Sequence, residues 1–194
     1  MNGARKHRRF LAAFCSLCMV LAIGAPAPAP AADQGERNNY RVEVIIFRTS
    51  QAPPGSEDLS APAEGRGFNG KIETANPPRV VRLLEPAELQ MTALAEKMRA
   101  NAGYQVLAHA GWLQTATLWP QHTGLSLDQF GINVPDLHGT LFLERGELLH
   151  FGAQLQLGAG PVYSLSELRR VRFNERHYLD HPAFGVIVQV SPIR

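Results

Sequence analysis

Apolar and polar residues alternate with period two through much of the second half of the chain. Leu149, Phe151, Ala153, Leu155 and Leu157 fall on one side, and Leu148, His150, Gly152, Gln154 and Gln156 on the other. That pattern predicts a strand over Glu147–Leu157 with one buried face and one face toward water. A strand over Leu137–Glu144 precedes it, with Arg145-Gly146 as the hairpin turn. Two more strands follow, Tyr163–Phe173 and the β-branched run Val186–Val190. Near the start, Tyr40, Val42, Val44 and Ile46 alternate with Arg41, Glu43, Ile45 and Phe47. This strand is apolar on one face and half apolar on the other, which places it centrally in its sheet.

One stretch carries the helical period instead. Ala87, Met91, Leu94, Ala95, Met98 and Ala102 make an apolar stripe, with Glu88, Thr92, Glu96, Lys97 and Arg99 mostly off it. Pro86 suits the first turn of such a helix and Gly103 a left-handed C′ position. A strand from Tyr104 to Trp112 follows at once. A right-handed crossover through this helix would set it parallel to the first strand. The expected fold is α+β: a single, mostly antiparallel sheet of about five to six strands, one long amphipathic helix packed on one face, and an opening β-α-β unit. Thr49–Pro78 is rich in Pro, Gly and Ser and keeps neither period, so residues 49–79 read as a mobile loop. Val80–Leu84 returns the chain to the core. Leu113–Asp136 is a second irregular stretch; its aromatics serve to anchor it to the core or to stack on a sugar ring.

The N-terminus changes the reading of charge. Arg5, Lys6, Arg8 and Arg9 precede a fourteen-residue apolar run, Phe10–Ile23, and an Ala/Pro stretch with Ala29-Pro30-Ala31 as a cleavage site. This is the pattern of a secretory signal peptide over residues 1–31, followed by a polar lead-in at 32–39 and one domain over 40–194. The apolar run is too short for an ordinary membrane span. The chain is therefore expected in the periplasm with no stable membrane span once cleaved near Ala31/Ala32. The segment holds four of the 19 Lys and Arg and none of the 17 Asp and Glu, leaving 15 basic against 17 acidic residues, a balance of −2 in place of +2. A nucleic-acid partner loses its support. Both cysteines, Cys15 and Cys18, lie in the apolar run, so the processed chain has no disulfide or thiolate chemistry.

Catalytic signatures are absent: there is no phosphate-binding glycine loop, no GxSxG and no HExxH. The densest polar knot is Asn174-Glu175-Arg176-His177-Tyr178-Leu179-Asp180-His181-Pro182. On a helix, His177 and His181 would share a face and hold a metal with a third ligand from His138 or His150, making a metal-dependent hydrolase of His177, Asp180 and His181 one alternative. Pro182 limits such a turn. The competing reading makes Asp180, His181, Pro182 and Gly185 a structural turn, with Asp and His bonding the backbone. No catalytic residue, metal or other cofactor is assigned. Arg169, Arg170, Arg172 and Arg176 are more informative. Guanidinium forks match carboxylates, although arginines also keep an exposed strand edge from pairing.

The run Glu175-Arg176-His177-Tyr178-Leu179-Asp180-His181-Pro182-Ala183-Phe184-Gly185, followed by a Val/Ile strand, resembles the closing signature of the CsiV family of peptidoglycan-binding periplasmic proteins. Tyr40–Arg48 resembles the family's opening strand, Tyr104–Gln114 its strand ending in Gly-Trp-Leu-Gln, and Leu137–Leu141 with Leu149-His150 its central hairpin. The chain departs from it at Glu147-Leu148-Leu149-His150, where the family often has Arg-Tyr-Leu-His. The resemblance implies a non-catalytic protein that binds peptidoglycan and works with an outer-membrane lipoprotein activator of a penicillin-binding synthase, supporting cell-wall synthesis and cell shape. Peptidoglycan offers stem-peptide carboxylates and sugar faces, so the residues expected to meet it are Arg169, Arg170, Arg172, Arg176, His177, Tyr178, Trp112 and Trp119. A further alternative is a pure interaction domain that docks an envelope protein by a strand edge.

Overall fold

A computed structural model describes residues 39–50, 80–159 and 162–193. The expected signal peptide over 1–31, and all but the ends of the expected lead-in at 32–39 and loop at 49–79, lie outside them. Strands take up 59% of the described residues and helical turns 12%, which overturns the single sheet with a long helix. Among the described residues ten strands form two five-stranded sheets. The first contains β1 (Asn39–Thr49), β2 (Val80–Leu83), β3 (Tyr104–Thr115), β9 (Arg176–Asp180) and β10 (Phe184–Pro192), ordered β2-β3-β1-β10-β9 and antiparallel throughout. The second contains β4 (Thr117–Leu118), β5 (Leu125–Ser126), β6 (Leu137–Arg145), β7 (Leu149–Leu157) and β8 (Tyr163–Val171). Its order is β4-β6-β7-β8, with β5 also pairing with β6.

The sheets pack face to face. Tyr40, Val42, Val44 and Ile46 of β1 share one core with Leu141 and Leu143 of β6 and with Phe151, Ala153 and Leu155 of β7. Each large side chain buried this way stabilises the fold by about 1.5–3 kcal/mol. The period-two pattern of β7 is thus the inner face of a sandwich. Alternation identifies a buried face without saying whether a helix or a second sheet covers it, which is why one sheet was expected. The hairpin turn is also longer than expected: Arg145 stays in β6 opposite Leu149, and Gly146, Glu147 and Leu148 make the loop.

The other face of β1 is covered by an α-helix, α1 (Thr92–Arg99). Ile45 and Phe47 pack there against Met91, Ala95 and Met98. With both faces buried, β1 lies between β3 and β10, the central position its pattern predicted. The helix is short because its expected first turns are used otherwise. Pro86–Glu88 is a 3-10 turn, closed by Glu85 and Glu88. The buried Glu43 carboxylate of β1 then takes the backbone N–H of Gln90 and of Met91, both at 2.7 Å, and α1 starts beyond them. At the other end Gly103 is not left-handed; its N–H donates to Asn101 Oδ1 at 2.8 Å, an Asx turn. That tight return brings β3 back antiparallel to β1, so the opening is not a parallel crossover unit.

Candidate binding cleft

Strict alternation along β3 would put Tyr104 and Val106 on the inner face with Ala108, Ala110 and Trp112. The register with β1 slips between Ile46 and Phe47: Ile46 faces Ala108, but Phe47 faces Val106. The bulge at Leu107 reverses the parity and turns Val106 and Tyr104 to the outer side, beside Phe47. On the edge strand β9, Tyr178 points outward opposite Ile187 of β10. Its ring leans over Gly185, where an added Cβ would lie 2.7 Å from Tyr178 Cε2. Gly185 is therefore part of a strand, and its missing side chain makes room for the tyrosine; it does not belong to the turn in which the sequence reading placed it.

The result is a cleft of about 360 Å³ between α1 and β9. Phe47 and Ile187 form its floor. Phe47 stacks with Tyr178 at 5.9 Å and 15°, and meets Tyr104 edge to face at 5.4 Å and 85°. Tyr104 and Tyr178 are each 41% exposed, so the cleft presents two ring faces nearly at right angles. The α1 side brings Leu94 and Met98 with the polar Lys97 and Asn101. Asn101 spends its oxygen on Gly103, which leaves its NH₂ as a donor. Partial burial, with the charge of Asp180 and the neighbouring Tyr104 and Glu167, pushes the Tyr178 pKa up, so its hydroxyl stays a hydrogen-bond donor at neutral pH.

The strands that carry Tyr178, Gly185 and Ile187 also carry the similarity to known proteins. Residues 152–193 match the family described as "Peptidoglycan-binding protein, CsiV". No curated protein and no solved structure matches the chain. The CsiV match covers the last part of β7 with β8, β9 and β10, and so one wall and part of the floor of the cleft.

The remaining residues expected to meet peptidoglycan are dispersed around this CsiV-like segment. The four arginines do not make one surface. Arg169 turns toward the inner side and is held by Glu167 Oε1, at 2.9 Å from Nε and 2.6 Å from Nη2. Glu167 also accepts the N–H of Asp180 at 3.2 Å and so joins the two sheets. Arg170 faces outward opposite His150. Arg172 lies past the end of β8, 3.8 Å from Glu175. Only Arg176 shares the outer side of β9 with Tyr178. His177 spends Nε2 accepting the N–H of Arg172 at 2.9 Å, and His181 spends Nδ1 on the N–H of Ala183 at 3.0 Å. A strand in place of a helical turn separates the two rings. Among the described residues no group of three His, Cys, Asp or Glu is placed to hold a metal. Asp180 ends β9, and Pro182 sits in the β9–β10 turn with its carbonyl held by Thr49 Oγ1 at 2.7 Å.

The two tryptophans part company. Trp112 is 0% exposed, stacked on Phe130 at 4.0 Å and hydrogen-bonded to Gln114, so it is core and not a contact residue. Trp119 is exposed but lies in the turn just after β4, beside the second sheet, where it stacks on His150 at 4.2 Å and is joined to Pro120 by a cis peptide. Beside it lies Glu144 of β6, fully buried, with His122 Nδ1 at 3.1 Å from its Oε2. Burial raises the Glu144 pKa, against the opposing pull of His122 and the backbone N–H groups of His122 and Thr123. Phe47, Lys97, Asn101 and Tyr104 escaped the sequence reading. Tyr104 was hidden by the bulge, because alternation counted straight through it.

Proposed function

We propose that this chain is a non-catalytic, periplasmic peptidoglycan-binding protein that supports cell-wall synthesis and cell shape, in partnership with an outer-membrane lipoprotein that activates a penicillin-binding synthase. The CsiV match over residues 152–193 carries the reading, because that family is described as peptidoglycan-binding. The charge pattern and cleavage site of residues 1–31 support export. A hydrolase at His177 and His181 is disfavoured, since both imidazoles are engaged with backbone amides.

Co-sedimentation of the full chain with purified sacculi tests the binding. The protein is expected in the pellet, and a folded protein that stays in the supernatant sinks the wall-binding reading. Fractionation of expressing cells, with the mass of the recovered chain, tests export: a periplasmic species lacking about the first 31 residues is expected. Capture of the lipoprotein activator by the immobilised chain tests the partnership, which fails if the purified activator does not bind.

A further inference from the structure

The open cleft has the shape and chemistry of a subsite. At about 360 Å³ it lies near the lower end of small-ligand pockets, room for one sugar ring with its substituents or a short peptide segment. Two tyrosine faces set nearly at right angles suit a saturated ring that is apolar on its face and polar at its edge. The Asn101 amide and the Tyr178 hydroxyl supply donors for such an edge. Lys97 is the one charged residue in the lining, and among the described residues it has no ion-pair partner. An ammonium at the rim of an aromatic cleft suits a ligand that joins an apolar face to a carboxylate.

We propose that this cleft grips one amino-sugar ring of a glycan strand between Tyr104 and Tyr178, and that Lys97 takes a carboxylate of the peptide attached to it. The assignment rests on the wall-binding reading and narrows it to one place and two chemical groups. Gly185 and the bulge at Leu107 are the structural provisions for it, since they aim Tyr178 and Tyr104 at the same space.

The test compares the wild type, Tyr178→Ala and Lys97→Gln, each as the full chain and each confirmed folded by circular dichroism. Lys97 is exposed on α1, so its replacement leaves the core intact. Three probes are used: sacculi, a soluble disaccharide–tetrapeptide, and a neutral oligomer of N-acetylglucosamine. Tyr178→Ala is expected to weaken both soluble probes roughly three- to tenfold, the scale of one aromatic contact. Lys97→Gln is expected to weaken the disaccharide–tetrapeptide about two- to fivefold and to leave the neutral oligomer unchanged. If the wild type sediments with sacculi while Tyr178→Ala binds both soluble probes normally, the ring subsite is wrong and wall binding stands. If Lys97→Gln weakens neither probe, or both equally, the carboxylate assignment is wrong. A wild type that binds none of the three removes the wall-binding reading together with the subsite.

Discussion

Glu43 on β1 and Glu144 on β6 are both buried on the outer sides of their sheets, Glu43 beneath the start of α1 and Glu144 beside the segment running from β4 through His122 and Thr123. Burial alone raises a carboxyl pKa, and it acts on both. At Glu43 it is outweighed by the hydrogen bond with His109 and by the N–H groups of Gln90 and Met91, and the pKa falls below the ordinary 4.5. Glu43 Oε1 lies 2.7 Å from His109 Nε2. At Glu144 burial wins, and the pKa rises above 4.5. The difference lies in the donors. A helix start presents adjacent N–H groups fixed by its own backbone, with the positive end of the dipole behind them. The segment at Glu144 brings the N–H groups of His122 and Thr123 and the mostly buried His122 ring, but from an irregular loop and not from a helix start. A buried carboxylate is a structural anchor where a rigid element supplies donors, and a liability where one does not.

Breaking the anchor should have the largest effect. Glu43→Ala leaves the buried Met91 N–H, the part-buried Gln90 N–H and His109 without their acceptor, and is expected to cost about 3–5 kcal/mol in chemical denaturation. The amides of α1 should lose their hydrogen-exchange protection first, because Glu43 does the work of an N-cap from another strand. Since α1 carries Lys97 and leads into Asn101, loosening it also opens one wall of the cleft. The pH dependence has a definite sign. The folded pKa of Glu43 lies below its unfolded value, so its stabilisation is complete above about pH 4.5 and is lost as pH falls through the folded value. A variant with wild-type stability would refute the anchoring role.

Removing the liability should do less, and in the other direction. Glu144→Gln keeps the shape and discards the charge, and is expected to stabilise the fold at pH 7 by up to about 1 kcal/mol. The wild type binds a proton at Glu144 more tightly when folded. It should therefore lose stability as pH rises from about 4.5 through the raised folded pKa, while the glutamine variant shows no such loss. Parallel unfolding midpoints between pH 4 and 8 for the two proteins would show that Glu144 carries no penalty.

Individual strands and their buried faces were legible in the chain, the two-sheet architecture was not, and the gaps have physical causes. The inner faces of β1 and β7 read directly from alternation, and the double burial of β1 gave its central place. The second sheet did not read, because Leu149–Leu157 looks the same beneath a helix as beneath another sheet. The helix was overextended because the apolar stripe continues N-terminal to Met91, while the residue that interrupts it, Glu43, is 47 positions from Gln90 in the chain. Tyr178, singled out with the polar knot around it, lines the cleft. Tyr104 was missed because a one-residue bulge changes the face of everything beyond it. The arginines are close in sequence, but strand alternation sets Arg169 on the inner side, held by Glu167, and Arg170 on the outer side.

A third glutamate sharpens the comparison from the exposed side. Glu88 lies outside the core, yet the two-pronged contact with Arg82, at 2.6 and 2.8 Å, and the N–H of Glu85 hold its pKa at about 2. Here charge–charge geometry acts almost without burial, so water screens what the pair adds to stability. Arg82→Ala should raise the Glu88 pKa from about 2 toward 4.5, read from carboxyl chemical shifts, while moving the thermal midpoint at pH 7 least of the three substitutions. The lowered pKa means that any stabilisation is complete above about pH 4.5 and disappears as pH falls toward 2. If Glu88 titrates at the same low pH without Arg82, the Glu85 amide is the dominant donor, and the rule drawn from Glu43, that backbone N–H groups set the charge state of a carboxylate, extends to the surface.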